Sequence, residues 1–207
     1  MIAYKFLCAG GVGPFSHFTW PQPRGEAPGP WVGAPGGTVL CRSAVHGCRP
    51  QDLPWWLHDE LWETEFDGEP VAGRHKFMAP RARLLRRIDG WDAVCAQRFA
   101  DACASRARDH AATALDSAGA PEAAAALRDR ATIRDIRAAA RAMQPPEPAR
   151  IAVAMAADAA WRALGGAAVV TAYIAAHAAA AVEGEAGMAA ERQWQSDWLR
   201  AELHLCA

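Results

Sequence analysis

Cys41, His46 and Cys48 stand in a Cys-x4-His-x-Cys arrangement, and thiolate and imidazole are good zinc ligands. Three of the four ligands of a structural zinc site are therefore close in sequence, and Cys8, His17 or His75 could supply the fourth. The chain lacks the Cys-x2-Cys pair that such sites usually contain, so no metal is assigned. The same residues could act as a nucleophile–base pair, the imidazole taking the thiol proton. The plainer alternative packs Cys41 in the core and lets His46 bond the backbone of its own turn.

A second cluster runs from Trp55 to Trp62, where Trp55, Trp56 and Trp62 flank His58, Asp59 and Glu60. Aromatic anchors beside carboxylates suit a ligand pocket or an interface, and equally the apolar payload of a core poor in Leu and Ile. Neighbouring carboxylates point in different directions, so Asp59 and Glu60 are not a natural acid–base pair. Far downstream, Tyr173 and His177 are four apart and share one helix face. If the chain is an enzyme, the candidate catalytic residues are His46, Cys48, Glu60, Glu63, Tyr173 and His177. The candidate binding residues are Trp31, Trp55, Trp56, Trp62, Arg192 and Trp194. A His buried among alanines needs a partner, and for His177 Tyr173, Asp158, Glu191 or Arg192 could provide it; His110 reads in the same way as a satisfied core histidine.

The elements that position these residues change character at about Trp91. Upstream lie most of the Pro and Gly and five of the nine Trp. Ile2 to Leu7 reads as a strand followed by the Gly10–Pro14 turn, and residues 21–37 as a long Pro/Gly loop pinned by Trp31-Val32. Thr38–Arg42 reads as a second strand, and Asp52 as the cap of a short helix ending at Leu57. Leu61–Phe66 alternates, placing Trp62, Thr64 and Phe66 on one side, and closes at the Asp67-Gly68 turn. Arg74–Met78 and Arg81–Ile88 complete a small, mostly antiparallel sheet.

Downstream, alanine runs such as Ala123–Ala126 and Ala178–Ala181 demand helices. The expected helices cover residues 91–117, 121–131, 132–143 with Thr132 as cap, 149–182 with a break at Gly165-Gly166, and 188–205. Pro145-Pro146 stops the third, and Gly184 and Gly187 interrupt before the last. The fold class is α+β: a sheet-rich domain over 1–90, then an alanine-rich helical bundle over 91–207.

Two resemblances attach to these halves. Tyr4-Lys5-Phe6, Leu40-Cys41-Arg42-Ser43-x-x-His46-x-Cys48 and Glu65–Gly68 resemble a bacterial and phage domain family that implies no known chemistry. That family has Gly where this chain has Ala44. Val170-Thr171-Ala172-Tyr173 through His177-Ala178, with Glu191-Arg192-Gln193-Trp194-Gln195, resembles a family of helical bacterial immunity proteins. Tyr173 stands where that family commonly has His. The second resemblance implies a non-catalytic protein that recognises another protein.

Net charge is −1, from 22 basic and 23 acidic residues, so no nucleic-acid or anionic-membrane partner is expected. Arg81, Arg83, Arg86 and Arg87 read as a solvated strand face. Residues 163–182 are too rich in Ala and Gly for a membrane span. No basic region followed by an apolar core opens the chain, which suggests a cytoplasmic protein with reduced thiols. Phosphate-binding loops, dinucleotide fingerprints, His-Glu-x-x-His and Gly-x-Ser-x-Gly are all missing from the sequence. Three functions follow. One is immunity-like protein recognition. Another is a small enzyme of bacterial specialised metabolism, needing no cofactor, with an aromatic-lined pocket between the halves. The last is a protein that binds a small apolar or aromatic ligand.

Overall fold

The computed structural model describes residues 1–33 and 44–205. Among the described residues the fold is α+β, with seven strands followed by five α-helices. It divides into a sheet unit, Met1–Asp92 together with Leu199–Ala207, and a helical unit, Ala93–Trp198. No helix among the described residues is long and apolar enough to cross a membrane.

The sheet unit holds β1 (Ile2–Leu7), β2 (Val32–Gly33), β3 (Val45–Gly47), β4 (Glu60–Asp67), β5 (Val71–Gly73), β6 (Lys76–Ala79) and β7 (Arg81–Arg87). One sheet has the order β1-β4-β7-β2 and the other β3-β6-β5, every pairing antiparallel. Alternation along β4 buries Trp62, Thr64 and Phe66, and Trp62 and Phe66 join Leu7, Trp20, Phe77 and Leu84 in the core. The other β4 face carries Glu63, Glu65 and Asp67, which pair with Arg86, Arg83 and Arg81 of β7. The basic strand face is thus neutralised across the ladder, with opposite charges directly facing one another.

Several local expectations change. The strand expected at Thr38–Arg42, with Cys41, lies outside the described residues. Val45–Gly47, read as a turn, is β3. Gly47 fits there because a Cβ would stand 2.7 Å from the Phe77 ring. The expected strand Arg74–Met78 is a hairpin, β5 turning into β6 at Arg74-His75. Asp52 is not the cap of an α-helix: Pro50–Trp55 is a 3-10 turn capped by Arg49, and Asp52 at its third position accepts from the Arg49 N–H at 3.3 Å.

The helical unit comprises α1 (Ala93–Ser117), α2 (Pro121–Arg128), α3 (Ile133–Ala142), α4 (Arg150–Leu164) and most of α5 (Ala168–Glu202). Thr132 caps α3, its hydroxyl accepting from Asp135 N–H at 3.1 Å. Alanines 111, 112, 124, 140, 152 and 156 with Leu115, Leu127 and Val153 form the core joining α1 to α4. Small side chains let helix axes approach closely.

α5 is a helical hairpin. Gly184, at φ 64° and ψ −146°, breaks it, in a region open essentially to glycine alone. Gln195 then donates to the Ala172 carbonyl at 2.9 Å, and a Cβ on Gly187 would come 2.5 Å from the Ala179 oxygen. Both pairs are centred near residue 184, so the second half folds back along the first. Gly187 is not an interruption; it lies within the second helical half and permits the close approach.

Candidate functional site

The residues singled out for chemistry divide between the two units. His46, Cys48, Glu60, Glu63 and Trp31, Trp55, Trp56 and Trp62 belong to the sheet unit, and Tyr173, His177, Arg192 and Trp194 to the helical unit. Cys48 is buried and donates to the Tyr4 carbonyl at 3.3 Å; burial pushes its thiol up to about 12, away from the thiolate a nucleophile or zinc ligand needs. His46 sits on β3, its Nε2 enclosed with no hydrogen-bond partner among the described residues. Burial, then the charges of Lys76 and Lys5, hold its imidazole down at about 4. Lys5 donates to the His46 carbonyl at 2.8 Å, and burial lowers that ammonium to about 8.

Glu60 and Glu63 hold structure together. The Glu60 carboxylate accepts from Gly10 and Gly11 N–H at 3.0 and 3.1 Å and from the Trp62 indole at 3.0 Å. Positive φ at Gly10 and Gly11, 77° and 74°, turns those two amides towards it. Glu63 pairs with Arg86. Trp55 stacks on His75 with ring centres 3.9 Å apart, and the Trp56 indole donates to the His75 carbonyl. Trp31 lies beneath the guanidiniums of Arg81 and Arg83.

In the helical unit, Tyr173 is exposed, and the His177 ring lies 4.0 Å from it, with Nδ1 3.0 Å from the Tyr173 carbonyl. The partner that His110 needed is Glu191. This fully buried carboxylate accepts from Arg106 Nε at 2.7 Å, pairs with His110 Nε2 at 2.9 Å, and accepts from Gln195 at 3.2 Å. Arg192 donates to Gln195 Oε1 at 3.0 Å, and burial lowers its guanidinium below the usual arginine range. Arg106 also covers the Trp194 ring at 4.6 Å. Burial likewise raises the Cys103 thiol. Arg192 and Trp194 thus belong to a network that fastens α1 to the α5 hairpin.

An open recess of the helical unit lies elsewhere, in a cleft of about 580 Å³ between α3 and α4. On α4, Arg150, Ala154, Ala157, Asp158 and Trp161 fall on one stripe at helical spacing; on α3, Arg137 and Arg141 do the same. Trp161 is 51% exposed, and the Arg137 guanidinium lies over its ring at 4.0 Å, a cation–π contact. Arg137 Nε is enclosed without a hydrogen-bond partner among the described residues. Arg150 pairs with Glu147, and Asp158 stands 3.5 Å from Arg162. Three guanidiniums against one carboxylate make the lining cationic, and it offers no histidine, cysteine or hydroxyl.

None of these cleft residues was selected from sequence. The available signal was Arg134, Arg137 and Arg141 on one short helix, with Arg150 and Trp161 eleven residues apart on the next. Reading it requires knowing that α3 packs on α4. Comparison with protein-family models, curated proteins and solved structures yields no match to this chain.

Proposed function

We propose that this chain is a non-catalytic recognition protein whose helical unit takes an acidic segment of a partner protein into the α3–α4 cleft. The carrying observation is the pairing of Arg137, Arg141 and Arg150 with the half-exposed Trp161 around one recess. Guanidiniums bind carboxylates through paired hydrogen bonds, and an indole face accepts an apolar or aromatic side chain. Arg and Trp are also the residues that dominate binding energy at protein interfaces. The lining suits binding better than turnover, because guanidinium stays protonated and cannot serve as a general base. The sequence resemblance carried by Val170–Ala178 and Glu191–Gln195 to helical bacterial immunity proteins implies the same class, a protein that recognises another protein.

Calorimetric titration with the peptide acetyl-Glu-Glu-Phe-Glu-Glu-amide tests this. Saturable 1:1 binding is expected, weakened at least tenfold by Arg141→Glu, an exposed position whose substitution leaves the fold intact. Absence of saturable binding, or equal affinity in the variant, overturns the proposal. Tighter binding of a small neutral aromatic compound at the cleft would instead favour a small-molecule ligand.

A further inference from the structure

The end of β1 and the start of β4 bring together three side chains that the α3–α4 cleft does not use. Cys8, His58 and Asp59 each offer one donor atom, and these atoms all lie within 4.8 Å of one another. Leu7 of β1 pairs with Glu60 of β4, so the antiparallel register places Cys8 beside Asp59 without any long loop. Cys8 Sγ lies 3.5 Å from His58 Nε2. A thiolate and an imidazole sharing one tetrahedral zinc stand about 3.5 Å apart, from bond lengths of about 2.3 and 2.05 Å.

The backbone around the three is held. Ala9 N–H donates to Asp59 Oδ2 at 2.9 Å, Gly10 and Gly11 are tied to Glu60, and the buried Trp91 donates to the His58 carbonyl at 2.7 Å. The cluster is partly open to solvent, with Cys8 and His58 partly buried and Asp59 exposed, so an ion can enter.

We propose that Cys8, His58 and Asp59 form a site for a zinc-like divalent cation. Sulfur with imidazole selects a borderline-soft ion over magnesium or calcium. Three protein donors leave a fourth position for water or for a ligand from another molecule, as in zinc sites that are not purely structural. His58 Nδ1 accepts from the Asp59 N–H at 3.0 Å and lies 3.3 Å from Asp59 Oδ2; ligation through Nε2 moves the ring proton to Nδ1, where the carboxylate can accept it, or the carboxylate can ligate the ion itself.

The test is titration of the reduced, chelator-treated full chain with Co(II), read by the thiolate-to-cobalt charge-transfer band. One equivalent should produce the band. Cys8→Ser should abolish it, and Asp59→Asn should weaken binding about tenfold to hundredfold, with far-UV circular dichroism unchanged. A chain that gives no band, or a band that persists in Cys8→Ser, overturns the proposal. Alkylation by iodoacetamide gives a second readout that needs no variant: zinc should slow modification of Cys8 at least tenfold. Equal rates with and without zinc also overturn it.

Discussion

Glu191→Ala is the perturbation that bears hardest on how the helical unit holds together. The carboxylate is fully buried and is hydrogen-bonded or ion-paired to Arg106, His110 and Gln195. Its removal leaves the partly buried Arg106 without this counter-charge. Deleting one partner of a buried pair costs about 3–5 kcal/mol, because the remaining charge stays desolvated. Glu191→Gln retains the shape and one acceptor, so the loss should be smaller, about 1.5–3 kcal/mol. With a urea slope of about 2 kcal/mol per molar, the Ala variant should unfold at a midpoint about 2 M lower. The assay is urea denaturation followed by helical circular dichroism. Replacing Arg106 and Glu191 together by Met should recover part of the loss, since an apolar pair removes both the charge and its unmet partner. A loss below about 1 kcal/mol for Glu191→Ala would refute the assignment of these contacts to stability.

Other consequences concern single positions. Gly187→Ala should destabilise the α5 hairpin by about 1–3 kcal/mol, because the new Cβ meets the Ala179 carbonyl at 2.5 Å; an unchanged urea midpoint contradicts the fold-back. Gly47→Ala should cost a similar amount by driving a methyl into the Phe77 ring, 2.7 Å away, and thermal unfolding would detect it. His46 has a folded pKa near 4, below its unfolded value, so the unfolded chain binds the extra proton first as pH falls. Stability is complete above about pH 6.5 and lost towards pH 4, by about 2 kcal/mol after allowance for partial solvent exposure. An NMR titration of His46 with its midpoint near 6.5 would contradict this.

Local signals in the sequence reached as far as local physics does. Thr132 announces α3 because a hydroxyl beside an apolar-periodic run has an orphan amide to accept from, and Pro145-Pro146 ends that segment by removing donors. The alternation of Trp62, Thr64 and Phe66 revealed the buried face of β4. The segment around His46 looked like a turn, whereas Val45–Gly47 is a strand in which the missing side chain of Gly47 serves packing against Phe66 and Phe77. Asp52 looked like a cap, but the turn starts at Pro50, three residues earlier than that reading required, which puts Asp52 at its third position. His110 could be seen to need a partner, yet Glu191 lies 81 residues away and only tertiary packing selects it. Separation in sequence likewise hid the meeting of Cys8 with His58, 50 residues apart, whereas the α3–α4 cleft, between successive helices, depended on how the two pack. Cys41, which anchored the sequence-level metal set, lies outside the described residues.

The most direct test of acidic recognition at the α3–α4 cleft is fluorine NMR of the chain labelled with 5-fluorotryptophan, with the Trp161 signal assigned through Trp161→Phe. Adding acetyl-Glu-Glu-Phe-Glu-Glu-amide should shift the Trp161 resonance saturably while the other eight tryptophan signals stay in place, and raising salt should weaken the effect. A Trp161 signal that stays fixed while the peptide binds, or shifts confined to the other tryptophans, would contradict the account.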